Sequence, residues 1–249
     1  MDSIYLLVFA FFSIAFLYSS VGFGGGSSYL VLLALFAVSV PFIRTTALLC
    51  NIAVVSGNVL IFHRKGLMDY RKFLPFVALS VPLAYLGARF KLSEPIFFII
   101  LGFSLIVASF FLVFQSMLQP KDKVIKSYPK HFGALTGGAI GFLAGLVGIG
   151  GGIFLSPILN LLKWEKPVKI AALASLFIIV NSIAGLVGLY AADNFEFDLN
   201  QGGILIVAVI LGGQLGLRSS LHWLRANSIR IITGILIFVV AVRILIKYL

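Results

Sequence analysis

Apolar stretches of about 20 residues recur along this chain from end to end, and each is long enough to cross roughly 30 Å of hydrocarbon as a helix. A segment in hydrocarbon finds no water for its N–H and C=O groups, so it must satisfy them internally, as a helix does. The expected fold class is therefore an all-α polytopic membrane protein. Composition agrees. The chain is 61% hydrophobic and 11% charged, whereas a soluble domain is about 45–50% apolar and about 25% charged. The net charge of +11 invites a nucleic-acid reading, but Lys and Arg cluster in short loops between apolar runs. Cytoplasmic loops carry them there, beside anionic lipid. Membrane lipids are thus expected partners and nucleic acid is not. Cys50 is the single cysteine, which excludes an internal disulfide and a cysteine metal cluster. The start, Met1-Asp2-Ser3, has no basic n-region, and no small-residue cleavage site follows, so Ser3 onward reads as a retained span.

The strongest organisational signal is an internal repeat. Val21-Gly22-Phe23-Gly24-Gly25-Gly26 matches Val147-Gly148-Ile149-Gly150-Gly151-Gly152 at an offset of 126 residues. At the same offset Pro41 matches Pro167 and Ser56 matches Ser182. Further on, Leu86-Gly87-Ala88-Arg89 matches Leu215-Gly216-Leu217-Arg218 at offset 129, and Gly102 matches Gly234 at offset 132. The expected layout is a membrane repeat over 1–118, a basic cytoplasmic linker over 119–131 and a second membrane repeat over 132–249, together one membrane domain. Spans are expected at 3–18, 28–40, 45–62, 73–89 and 95–118, then at 132–146, 153–162, 168–190, 200–217 and 229–248.

The segment Ser3–Val40 would be about 57 Å long as one helix at 1.5 Å per residue, too long for a single crossing. Loop charges favour a hairpin that turns back at the glycines. With a hairpin in each copy, fourteen Lys and Arg fall on one side and five on the other, against ten and nine without. Cytoplasmic loops carry the excess of Lys and Arg. Both termini and the acidic loop Asp193–Asp198 then lie outside the cytoplasm, and the two copies are inverted. Two inverted repeats of four to five segments, with glycine-interrupted, re-entrant or broken helices, are the architecture of many secondary transporters, whose site lies at the midplane between repeats.

Non-helical backbone at membrane depth must be buried in protein or line a wet cavity. Gly22, Gly24, Gly25 and Gly26, and Gly148, Gly150, Gly151 and Gly152, are candidates for such breaks. The helices that begin after them, at about Ser27 and Ile153, present free N–H groups and a positive dipole end to an anion. Ser27 and Ser28 are expected to cap the first, and Ser156-Pro157 to sit in the first turn of the second. The bland alternative is close helix crossing, as in the row Gly137, Gly141, Gly145. A dinucleotide fingerprint would need a preceding strand and a later ribose-binding acid, and neither is present.

All eight acids fall at span ends or in loops, which argues against a cation pump with a carboxylate site. It suits an anion or a neutral solute held by N–H, hydroxyl and amide groups. Asn51 and Asn58 share a helix face, as do Ser175 and Ser182, joined by Asn181. With Ser56 these are candidate cavity-lining residues, or else interhelical hydrogen-bonders. Arg44, Lys169 and Arg243 read as snorkelling interfacial bases, with an anion-attracting vestibule the alternative for Arg44 and Lys169. Tyr70, Trp164 and Trp223 read as belt anchors. His63, His131 and His222 share no metal-ligand spacing. No metal site, cofactor or enzyme is expected, since H-E-x-x-H, Walker A, G-x-S-x-G and paired carboxylates are all missing.

The two glycine motifs, Val21–Ser28 and Gly145–Gly152 with Pro157, resemble the paired signatures of the TauE/SafE family of sulfite exporters and sulfonate permeases. The resemblance covers nearly the whole chain, including the Pro41/Pro167 pair. It implies seven to eight or more spans, a bacterial or archaeal plasma membrane, and transport of small sulfur-containing anions or organosulfonates. The first copy departs from the second in having Tyr29-Leu30-Val31 where the second has Leu155-Ser156-Pro157. The expectation is a secondary carrier of a small anion, such as sulfite or thiosulfate, by alternating access. An anion channel and a non-transporting membrane scaffold are its rivals, and a homo-oligomer is compatible with the sequence.

Overall fold

The computed structural model describes residues 2–20, 24–36, 38–117, 125–126, 128–218 and 226–249. Gly22, Trp223, His222 and most of the expected linker lie outside them. Among the described residues the chain forms ten α-helices and no strand. They are α1 (Asp2–Ser20), α2 (Gly26–Leu35), α3 (Val40–Arg64), α4 (Tyr70–Arg89), α5 (Glu94–Met117), α6 (Lys130–Val147), α7 (Gly152–Leu161), α8 (Pro167–Ala191), α9 (Leu199–Arg218) and α10 (Ala226–Tyr248). Five of these helices, α3, α5, α8, α9 and α10, are long and apolar enough to cross a membrane.

The expected spans map one to one onto these helices, with one boundary displaced. The second helix ends at Leu35, not near residue 40, and α3 begins at Val40, not 45. An unbroken apolar run hides that boundary. The signals that set it are polar and local: Ser39 caps α3 by accepting from Phe42 N at 3.3 Å, with Pro41 in the first turn. Pro167 opens α8 in the same way. Asp69 caps α4 through Lys72 N at 3.2 Å.

Most helix pairings have a counterpart when the two halves of the chain are exchanged. Helix α1 lies on α9 as α6 lies on α4, α3 on α9 as α8 on α4, and α2 on α10 as α7 on α5, while α3–α8 and α5–α10 pair with their own counterparts. Individual contacts repeat as well. A Cβ on Gly87 would strike Phe142 O, and one on Gly216 would strike Phe16 O. A Cβ on Gly102 would stand 3.5 Å from Ala241 O, and one on Gly234 3.4 Å from Ser109 O. Gly137, Gly141 and Gly145 bring the backbone of α6 onto Phe76, Ser80 and Ala84 of α4. That row is a packing device, since no side chain fits between the two backbones.

Helices α3 and α8 run antiparallel at the centre. Thr45 Oγ1 meets the amide of Glu196 at 3.4 Å, beyond the end of α8, and Leu48 lies against Gly185. At the other end of α8, Glu165 is buried. It takes Lys72 Nζ at 2.8 Å, Lys169 Nζ at 3.8 Å and the Lys166 amide at 3.1 Å. Burial opposes its charge, but the Lys72 hydrogen bond, the Lys166 amide and the two ammonium charges outweigh it and hold the carboxyl below its ordinary value. Lys169 is thus an ion-pair partner. Trp164 packs edge-on against Phe76 at 5.2 Å and so belongs to the interior more than to a belt.

Candidate functional site

Both glycine segments interrupt helices. Gly25 (φ +81°) precedes α2 and Gly151 (φ +83°) precedes α7, and neither helix has a side-chain cap. These left-handed positions need glycine. The expected caps, Ser27 and Ser28, stand instead inside the first turn. Ser28 Oγ and Tyr18 OH are 2.7 Å apart. The first carbonyl either helix can use is that of the capping glycine: Ser28 N and Tyr29 N bond Gly25 O, and Phe154 N and Leu155 N bond Gly151 O. The amides of Gly26 and Ser27, and of Gly152 and Ile153, therefore have no carbonyl in their own helix. Pro157 is the sixth residue of α7, past the first turn expected for it, and leaves the Ile153 carbonyl without its helical donor.

The two breaks meet at one side chain. Asn51, fully buried at mid-length in α3, donates from Nδ2 to Ile149 O at 3.0 Å. A Cβ on Gly150 would stand 2.9 Å from the same Nδ2 and 3.1 Å from Ser182 Oγ. On the opposite side, a Cβ on Gly24 would stand 2.9 Å from Asn51 Oδ1, and one on Gly26 would overlap the Asn51 amide. Glycine at these positions is what lets one amide group touch both breaks. Asn51 Oδ1 and Ser182 Oγ are buried and have no hydrogen-bond partner among the described residues. Leaving such groups unpaired in a dry interior costs about 1–3 kcal/mol each, so they mark a place where a polar ligand would be welcome.

The other candidates divide. Asn58 lies two turns from Asn51 and accepts from Ser19 Oγ at 3.2 Å, and its Nδ2 has no partner among the described residues. Asn181 Nδ2 bonds Phe177 O of its own helix at 2.8 Å, and its Oδ1 has no partner among the described residues. Ser175 is buried and bonds Ala171 O at 2.9 Å. Ser56 is exposed and bonds Ile52 O at 2.6 Å, whereas its repeat equivalent Ser182 is fully buried. Gly148 closes α6 at φ +87° and lies against Arg44.

Three residues were not read this way from sequence. Tyr18 meets Ser28 across the first break. Tyr29 stacks on Phe11 at 4.8 Å, and its buried hydroxyl, beside Gly25, has no partner among the described residues. In an apolar run a tyrosine reads as bulk, and nothing local marks its hydroxyl. Arg44, expected to snorkel at an interface, is fully buried.

A bundle of apolar helices with two glycine breaks closing on a buried amide defines a polytopic integral membrane protein with a polar centre. The profile of the family described as sulfite exporter TauE/SafE matches residues 6–244. The chain belongs to that family, and it is a membrane transporter. It is 32% identical over 242 residues to a probable membrane transporter protein of Sinorhizobium fredii, covering 96% of this chain and 97% of that one. It is 27% identical over 203 residues to a probable membrane transporter protein of Haemophilus influenzae, covering 77% and 75%. Over 92 residues it is 37% identical to one from Methanocaldococcus jannaschii, covering 34% of each chain. No solved structure matches the chain.

Proposed function

We propose that this transporter is a secondary carrier for a small sulfur-containing anion, sulfite, thiosulfate or an organosulfonate, bound between the two glycine breaks and moved by alternating access. The observation that carries the reading is the convergence of Gly24–Gly26 and Ile149–Gly150 on Asn51, beside the free amides that open α2 and α7. Such amides, at the positive ends of helix dipoles, suit an oxyanion. Ser182, Ser27 and Ser28 supply hydroxyls, and Asn51 supplies one donor and one acceptor. Among the described residues the one buried carboxylate is Glu165, just before α8.

The matched helix pairings support two inverted repeats, about 1–118 and 132–249, that rock against each other around this centre. On the loop-charge count the Glu165 end of α8 faces the cytoplasm, and both termini lie outside.

Counterflow in proteoliposomes tests the reading. Radiolabelled thiosulfate or sulfite outside should accumulate when the same unlabelled anion is loaded inside, and the rate should saturate. Flux without counterflow would replace the carrier with a channel. Binding and flux both absent for every sulfur anion tried would leave a carrier for some other solute and refute this proposal.

A further inference from the structure

Arg44 is the one fully buried base among the described residues, and no carboxylate faces it. Its Nη2 donates to Ala88 O and to Gly145 O, both at 3.0 Å, and its Nη1 to Phe90 O at 3.3 Å. These carbonyls belong to the C-terminal ends of α4 and α6. Their partial negative charge offsets only part of a whole unit of positive charge. Nε has no acceptor.

A helix-capping role alone does not account for this. The repeat equivalent of Arg44, at offset 126, is Ile170, which is just as buried. The same place in the second half is filled by an apolar side chain. A buried guanidinium without a counter-ion is costly at membrane depth and is ordinarily functional. Its position gives the function. Arg44 and Asn51 lie seven residues apart on one face of α3, and the segment Gly148–Gly150 runs between them. Positions equivalent to a Cβ on Gly148 are 3.2 Å from Arg44 Cα and Cβ, while Ile149 O is bonded to Asn51.

We infer that Arg44 is the charge-recognition residue of this transporter: it supplies the fixed positive charge that the carried anion meets beside the second glycine break, with Nε–H as the open donor. The inference rests on the anion-carrier reading above and adds the residue that sets charge preference. A guanidinium suits a planar or tetrahedral oxyanion through paired N–H groups, which an ammonium cannot reproduce.

The test uses the full-length protein in proteoliposomes, as wild type, Arg44→Lys, Arg44→Gln and Arg44→Ile, with saturable thiosulfate counterflow and thermal melting measured together. Arg44→Gln and Arg44→Ile should raise the KM for thiosulfate at least about tenfold, the size expected for loss of a charge-assisted hydrogen bond. The rise should be larger for divalent thiosulfate than for a zwitterionic aminosulfonate. Should those two variants not fold, Arg44→Lys decides, since lysine keeps a cation able to cap carbonyls. Charge recognition by the guanidinium fork predicts a raised KM in Arg44→Lys. A KM within twofold of wild type in any folded variant, with only the Tm lowered, overturns the inference and leaves Arg44 a helix cap. No thiosulfate or sulfite counterflow in the wild type itself would be the separate failure of the anion-carrier reading.

Discussion

The midpoints of α3 and α8 are repeat equivalents, yet they present opposite chemistry to the glycine breaks. In α3 the position is Asn51, whose amide touches Gly24 and Gly26 on one side and Ile149 and Gly150 on the other. In α8 it is Phe177, a fully buried ring that a Cβ on Gly151 would meet at 2.7 Å. One turn or two along the same helices, Arg44 stands against Ile170 and Val55 against Asn181. The scaffold is thus duplicated while the polar groups are not. The first half supplies the Asn51 amide and the Arg44 charge beside the breaks, and the second supplies the Ser182 hydroxyl.

The contrast between the halves can be tested by substitution. The largest effect is expected where both halves depend on backbone contact. Gly145→Leu and Gly216→Leu would each drive a side chain into a neighbouring backbone, at Ala84 and Phe16. Each should cost about 3 kcal/mol or more and remove the monodisperse peak in size-exclusion chromatography. A well-folded Gly216→Leu would show that the two crossings are not equivalent. Next comes the site. Asn51→Leu, near in volume, should leave a folded protein whose flux falls roughly ten- to hundredfold, while Phe177→Leu should stay within a few-fold of wild type. Equal losses from both would mean that the halves share the site evenly.

A smaller effect is expected from Glu165→Gln. Because the folded carboxyl titrates below its ordinary value, its contribution is present above about pH 4.3, the unfolded value, and is lost as pH falls through the folded value. With Lys72 largely in solvent, screening limits it to about 1 kcal/mol or less. The Tm gap between wild type and variant should be visible at pH 7 and close in acid. The smallest perturbation is cysteine labelling, in a chain with Cys50 replaced by alanine. Ser56→Cys, at an exposed position, should react with a maleimide in detergent, and Ser182→Cys, at a buried one, should resist it. Equal rates would show that the difference in burial between these partners does not persist in solution.

Much of this was legible in the sequence because it rests on backbone. Gly25 and Gly151 are needed for a left-handed turn, and Gly137, Gly141, Gly145 and Gly216 for crossings that leave no room for a side chain. These are demands on residue type at a fixed position, so the repeat shows through in glycine. Asn51 was legible as a polar residue inside a span. That it serves both breaks was not, because its partners lie 98 positions away at Ile149 and 25 to 27 positions away at Gly24 and Gly26. Arg44 misled for a related reason. An arginine early in an apolar run looks like an interfacial base, and only the ends of α4 and α6, distant in sequence, reveal that it is enclosed. The α2–α3 boundary was blurred because both sides of it are apolar.

The crossing of α1 on α9 and of α6 on α4 also bears on how the protein is made. Each half lends its first helix to the other half's fourth, so neither half can complete its own packing. About 180 residues separate α1 from its partner, and at a synthesis rate of 5–20 residues per second α1 waits roughly 10–40 s in the bilayer. During that time its face for the glycines of α9 is covered only by lipid. Separately expressed halves are therefore expected to be degraded when made singly and to accumulate when made together, which pulse–chase labelling of each half can read. A first half that persists alone would mean that lipid covers that face well enough, and that the crossing is formed late without being required.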